Sequence, residues 1–296
     1  MALRDRFVDP RSPDRRPRRA AYVLPTLFTS GNIFLGFVAI LQAFQGAMLV
    51  MKGGNFGYNW HFETAAKMIG LAVFLDGLDG RIARMTNTVS DFGREMDSLA
   101  DVITFGIAPA VLAYAWGIQF IESPIEGIPL ETIARVGYFI CFLFLLCGAA
   151  RLARFNITTN PVPKNPGRPD RKYFVGLPIP AAAGLVAAVV YAEGSAPLRV
   201  WFFSALWLAL LGLLSFLMVS TWRYPSLKGI DLRRPHSPLV FVAIAAILYL
   251  IWIASEPVLL AMGVAYVGSG IVIRIGGIVR RRLRANRTPR PEHQVG

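Results

Sequence analysis

The chain has 296 residues, 54% of them hydrophobic and 17% charged, with a mean hydropathy of +0.49. That apolar content exceeds what the core of one soluble domain hides, so the bilayer is the expected solvent. A net charge of +13 alone suits a nucleic acid or an anionic surface, but hydropathy decides for the membrane, and two cysteines with three scattered histidines argue against a disulfide framework and a Cys/His zinc site.

Residues 1–24 are rich in Arg and Pro and read as a basic cytoplasmic segment, flexible or lying at the membrane surface. A nucleic-acid arm is the competing reading. Arg clusters beside a span are what topology and anionic lipid already require, so membrane lipids and no nucleic acid are the expected partners. A spanning helix needs about 20 mainly apolar residues, and such runs follow at 27–50, 64–84, 96–117, 131–150, 176–193, 199–220, 237–255 and 257–277. The predicted fold class is therefore all-α, a polytopic membrane helix bundle of about eight transmembrane helices. The first run is too long for a signal-peptide core and lacks an evident cleavage site, so it is expected to stay in the mature protein. The last two runs, joined by Ala254-Ser255-Glu256-Pro257, have one re-entrant hairpin as their alternative. Residues 280–296 form a second basic tail.

Basic residues are retained on the cytoplasmic side of spans. With the N-terminus inside, 27 of the 31 Lys and Arg fall on that side; only Lys52, Lys67, Arg135 and Arg199 fall outside. An even number of spans with both termini cytoplasmic satisfies this bias.

The second and third runs carry acids where a membrane helix should be apolar: Asp76, Asp79, Asp97 and Asp101. Each costs roughly 2.5–3.5 kcal/mol near a bilayer centre on insertion scales, so something must offset them. Asp76 and Asp79 are i, i+3 on one helix and Asp97 and Asp101 are i, i+4 on the next, so each pair shares a face. A short connection lets the two faces oppose each other. Converging carboxylates cannot all stay ionised without cations, and oxygen ligands suit Mg2+ or Mn2+, whose shell a substrate's phosphates often complete. Gly77, Gly80, Ala83 and Gly93 interleave the acids with residues lacking bulk, leaving room for a ligand. Gly77 taken alone reads more readily as a helix-packing contact. Asp76 lies eight residues before Arg84, about 12 Å at helical rise, which puts the site just below the cytoplasmic interface.

Asp76, Asp79, Gly80, Ala83, Arg84, Gly93, Asp97 and Asp101 together read D-x-x-D-G-x-x-A-R, then G-x-x-x-D-x-x-x-D. This pattern closely resembles the signature of the CDP-alcohol phosphatidyltransferase family. The likeness extends over about 24–190. Pro25-Thr26-Leu27-Phe28, Asp97-Ser98-Leu99-Ala100-Asp101, Arg151-Leu152-Ala153-Arg154-Phe155-Asn156 and Gly176-Leu177-Pro178-Ile179-Pro180 are similar to blocks of the family's integral-membrane, serine-accepting bacterial branch.

The resemblance implies attack by the hydroxyl of L-serine on the diphosphate of CDP-diacylglycerol, expelling CMP, in a bacterial cytoplasmic membrane. It implies a six-helix core over 25–220, with 221–279 as an additional two-helix region, and a homodimer. It makes Asp76, Asp79, Asp97 and Asp101 metal ligands, with Asp101 also the general base. Asp79, Gly80, Ala83, Arg84 and Gly93 are then the CDP-binding positions. For the acceptor, Arg151, Arg154, Asn156 and Asn32 are candidates, although cytoplasmic anchoring explains the two arginines nearly as well. Another acceptor alcohol (choline, glycerol 3-phosphate or an inositol phosphate) keeps the chemistry. A transporter using the intramembrane acids for protons or divalent ions is the alternative of a different class.

Overall fold

The computed structural model describes residues 19–53, 57–86, 91–122, 129–158, 173–225 and 238–285. Its elements are α1 (Arg19–Met51), α2 (Trp60–Thr86), α3 (Asp91–Asp101), a π-helical turn (Val102–Ile107), α4 (Ala108–Gly117), α5 (Leu130–Thr158), β1 (Tyr173–Val175), α6 (Ile179–Ala192), α7 (Trp201–Val219), β2 (Arg223–Pro225), α8 (Pro238–Ile253) and α9 (Ser255–Ala285). A helix stands at each apolar run of the sequence. The protein is a polytopic membrane helix bundle. Among the described residues, five segments are long and apolar enough to cross a membrane: Leu27–Met51, Phe92–Gly117, Leu130–Ile157, Trp201–Val219 and Ser255–Gly277. The expected eight is not reached on that measure, because α2 is interrupted by Glu63, Lys67 and Asp76, while α6 and α8 have only 14 and 16 residues.

The tightest helix pair is α1 with α2. Ala39, Ala43 and Ala47 recur every fourth residue on one face of α1 and are buried against Ala65, Ala66, Ile69 and Ala72 of α2. Such small residues let helix backbones approach closely where lipid offers no hydrophobic drive to associate. The opposite face of α1 exposes Phe34, Phe37, Leu41 and Phe44, as a lipid-facing surface should. Antiparallel to α2 runs α6, with Lys67 over the Tyr191 ring at 5.4 Å and Gly184 beside Val73. On the other side, α5 packs on α7, and α4 receives the Trp207 indole, whose Nε1 donates to the Ala113 carbonyl at 3.1 Å.

Two features have no counterpart in the sequence reading. β1 and β2 pair antiparallel, Phe174 opposite Tyr224, in a three-residue hairpin-like clasp between distant segments. Gly176 ends it with φ +79, and a Cβ there would lie 2.5 Å from the Met218 carbonyl, so only glycine fits. The π-helical turn interrupts the long third rod directly after Asp101. Its extra residue rotates the following face by about 100° relative to an unbroken α-helix. Thr104 in this turn donates through Oγ1 to the Asn32 carbonyl at 3.0 Å, and a Cβ on Gly36 would fall 2.8 Å from Thr104 Cα. The close approach locks α1 to the turn that follows the acidic helix.

Candidate active site

Asp76 of α2 meets Asp97 and Asp101 of α3: one carboxylate oxygen from each lies within 4.8 Å of the other two. The spacing of four places Asp97 and Asp101 on one face of α3, and that face is turned to α2. Asp101 is buried, at 9% exposure, while Asp76 and Asp97 are half-buried. Three carboxylates this close repel strongly when ionised unless cations sit among them. Acid oxygens converging from two helices are the donor set of a hard divalent cation, so the residues fit Mg2+ or Mn2+. Of the four acids expected to converge, three do so among the described residues. Asp79, Gly80, Ala83 and Arg84 continue α2, and their side chains lie outside the described residues. Gly93, half-buried, lies in the first turn of α3.

The three acids line one end of a cavity of about 1130 Å³, together with Arg94 and Ser98 of α3, Arg151 and Asn156 of α5, and Tyr266 of α9. Arg151 is buried, at 8% exposure, over the Phe155 ring, and the Asp101 and Asp76 carboxylates both act on it electrostatically. Asn156 donates through Nδ2 to Ser98 Oγ at 2.8 Å, and Ser98 Oγ donates to the Arg94 carbonyl at 3.0 Å. Arg151 and Asn156 are thus brought to the acids.

The other two acceptor candidates go elsewhere. Arg154 donates to the Val219 carbonyl at 3.1 Å, to Ser220 at 3.4 Å and to Val175 at 3.5 Å, satisfying the C-terminus of α7 and the end of β1. Asn32 is buried between α1 and the π-helical turn, and neither residue lines the cavity. Gly77 corrects its packing reading: a Cβ there meets nothing within 4 Å, and the residue lines the cavity. Sequence reasoning missed Ser98, though it sits inside the acidic motif one residue from Asp97. It also missed Tyr266, which an apolar spanning run conceals.

The profile of the CDP-alcohol phosphatidyltransferase family matches residues 22–213, which contain α2, α3 and all three clustered acids. The chain belongs to that family. As a CDP-alcohol phosphatidyltransferase it is a membrane-embedded phosphotransferase that carries out phosphatidyl transfer of the family's type. It is 39% identical over 215 residues to a CDP-diacylglycerol–serine O-phosphatidyltransferase of Helicobacter pylori, covering 72% of this chain and 76% of that one. A protein of the same description from Bacillus subtilis is 32% identical over 205 residues, 69% of this chain and 91% of the relative. An archaetidylserine synthase of Methanothermobacter thermautotrophicus is 32% identical over 209 residues, 70% and 71% of the two chains.

Proposed function

We propose that this phosphatidyltransferase moves a phosphatidyl group from CDP-diacylglycerol to the hydroxyl of L-serine, giving phosphatidylserine and CMP. The observation that carries the reading is the convergence of Asp76, Asp97 and Asp101 at one end of a cavity whose middle is apolar. A liponucleotide suits that pairing, with a diphosphate for the acids and alkyl chains for the apolar stretch beside them. The choice of serine is supported by likeness to relatives whose names specify it.

Asp76, Asp79, Asp97 and Asp101 would hold Mg2+ or Mn2+, which would supply electrostatic stabilisation for the charge that develops on the phosphoryl oxygens. Asp101 takes the proton of the serine hydroxyl as that oxygen bonds to the phosphorus bearing the diacylglycerol. The bond from this phosphorus to the oxygen bridging to CMP breaks, and CMP leaves with the electron pair. Asp79, Gly80, Ala83, Arg84 and Gly93 receive the CDP moiety, Arg84 with the bidentate fork that suits phosphate. Arg151 is the acceptor-side cation: buried beside the acids, it can hold the serine carboxylate or the lipid phosphate. Asn156 positions the acidic helix through Ser98.

In this reading the chain crosses a bacterial cytoplasmic membrane eight times as a homodimer, with both termini cytoplasmic. Residues 25–220 make the catalytic core and 221–279 the added helices. The orientation is supported by the 27 basic residues it assigns to the cytoplasmic side. The test is CMP release from CDP-diacylglycerol and Mn2+ or Mg2+ with L-serine, choline, glycerol 3-phosphate or no acceptor. Release that needs L-serine is expected; equal release with another alcohol overturns the assignment.

A further inference from the structure

The cavity does not end at the acids. It runs along α2 from Asp76 to Lys67, between that helix, α6 and α9, and its middle walls are Val73, Leu185, Leu259 and Met262. Only one of these three helices lies wholly outside the family profile, which stops at residue 213: α9 begins at Ser255. It runs antiparallel to α6 and is held along its first half. Near its start, Ser255 Oγ and Tyr191 Oη are hydrogen-bonded at 2.8 Å. Further along, a Cβ on Gly263 would stand 3.0 Å from Leu185 Cδ1, and one on Gly270 would fall 2.3 Å from the Tyr224 ring. These two glycines are seven apart, hence on one face of α9, and that face is pressed on α6 and β2.

Gly70 and Gly77 are also seven apart and share a face of α2, but they do the reverse. Both are exposed, both line the groove, and a Cβ on either meets nothing within 4 Å. Glycine costs a helix up to about 1 kcal/mol relative to Ala, and here no neighbouring helix uses the space it leaves. Gly70 lies six residues before Asp76, about 9 Å along the helix, and Lys67 nine residues, about 14 Å. At Lys67 the apolar character stops: its ammonium pairs with Glu63 and sits over Tyr191. The groove is therefore a slot of fixed length, acidic at one end, closed by the Lys67–Glu63 ion pair at the other and apolar between.

We propose that this slot holds an acyl chain of the liponucleotide, that α9 is its outer wall, and that the open space at Gly70 sets how long a chain is accepted. The proposal rests on the liponucleotide reading given above, since continuity with the acid cluster is what identifies the occupant. α9 is then a specificity element added to the catalytic core, and not merely a further anchor.

Two measurements on the full-length protein in detergent test it. CMP release is compared for dioleoyl and dioctanoyl CDP-diacylglycerol. In Gly70→Leu the ratio of long-chain to short-chain rates is expected to fall about tenfold, because the added side chain takes the space that the long chain would fill. Gly276→Leu, at an exposed glycine of α9 away from the groove, should leave the ratio unaltered. An unchanged ratio in Gly70→Leu, or an equal loss with both substrates, overturns the proposal. The second measurement needs no turnover: CDP-diacylglycerol carrying a photoreactive diazirine at the chain end is bound and the labelled peptides are identified. Labelling of Val73 and Leu185 supports the slot; labelling confined to exposed positions such as Leu248 and Trp252 overturns it. Groove labelling by a protein that releases no CMP would sink the reaction while supporting the slot, so the two failures are distinguishable.

Discussion

Asn156 Nδ2 donates to Ser98 Oγ at 2.8 Å across 58 residues of chain, tying the C-terminal end of α5 to the turn of α3 between Asp97 and Asp101. Because Ser98 Oγ in turn donates to the Arg94 carbonyl, the bond orients the acidic helix and not just one side chain. A neutral hydrogen bond is worth about 0.5–1.5 kcal/mol net. Asn156→Ala is expected to lower kcat/KM about two- to tenfold and to raise the Mn2+ concentration needed for half-maximal CMP release. A metal titration identical to wild type would deny Asn156 its positioning role.

Asp101→Asn preserves shape and removes both the proton acceptor and a charged metal ligand. General-base catalysis contributes about 10²–10⁴-fold, and CMP release should fall by at least that while helix content, read by circular dichroism, stays that of wild type. Activity indistinguishable from wild type would move the base to another residue.

Arg151 and Arg154 should separate by assay. Arg151 lies among the acids, so Arg151→Lys, which keeps the charge and loses the planar fork, is expected to raise KM for L-serine or CDP-diacylglycerol about tenfold. Arg154 satisfies carbonyls of Val219 and Ser220, so Arg154→Ala is expected to lower the melting temperature, by about 1–3 kcal/mol of lost stability. A KM effect confined to Arg154→Ala would reverse these roles.

Metal removal should act on the same cluster. Dialysis against EDTA is expected to abolish CMP release, and Mn2+ or Mg2+ to restore it, because Asp76, Asp97 and Asp101 bring their oxygens within 4.8 Å of one another. The triple replacement of these acids by Ala should lose the metal-induced rise in melting temperature that binding to the folded state produces. Full activity in EDTA would remove metal from the reaction.

Much of the site was legible because it is local. Asp97 and Asp101 are one turn apart, and a helix fixes their common face without reference to the rest of the chain. Asp76 joined them because a short connection keeps consecutive helices at the same end of the bundle, where both pack on α1. What escaped was set by contacts distant in sequence. Arg151 and Arg154 lie three residues apart on α5 and read alike, yet the second is drawn to carbonyls 21 and 65 residues away. β1 and β2 are each three residues long and pair across the whole of α6 and α7, which no local periodicity announces. Gly77 read as a packing residue because small residues in membrane helices most often are; only the position of α9 shows that it opens onto a cavity.

The most direct test of serine transfer follows both products at once. Purified protein with CDP-diacylglycerol, Mn2+ and isotopically labelled L-serine is assayed for CMP in the aqueous phase and label in the lipid phase. One labelled phospholipid per CMP released, with both signals lost in Asp101→Asn, is the expected result. CMP released without label entering lipid would contradict serine as the acceptor.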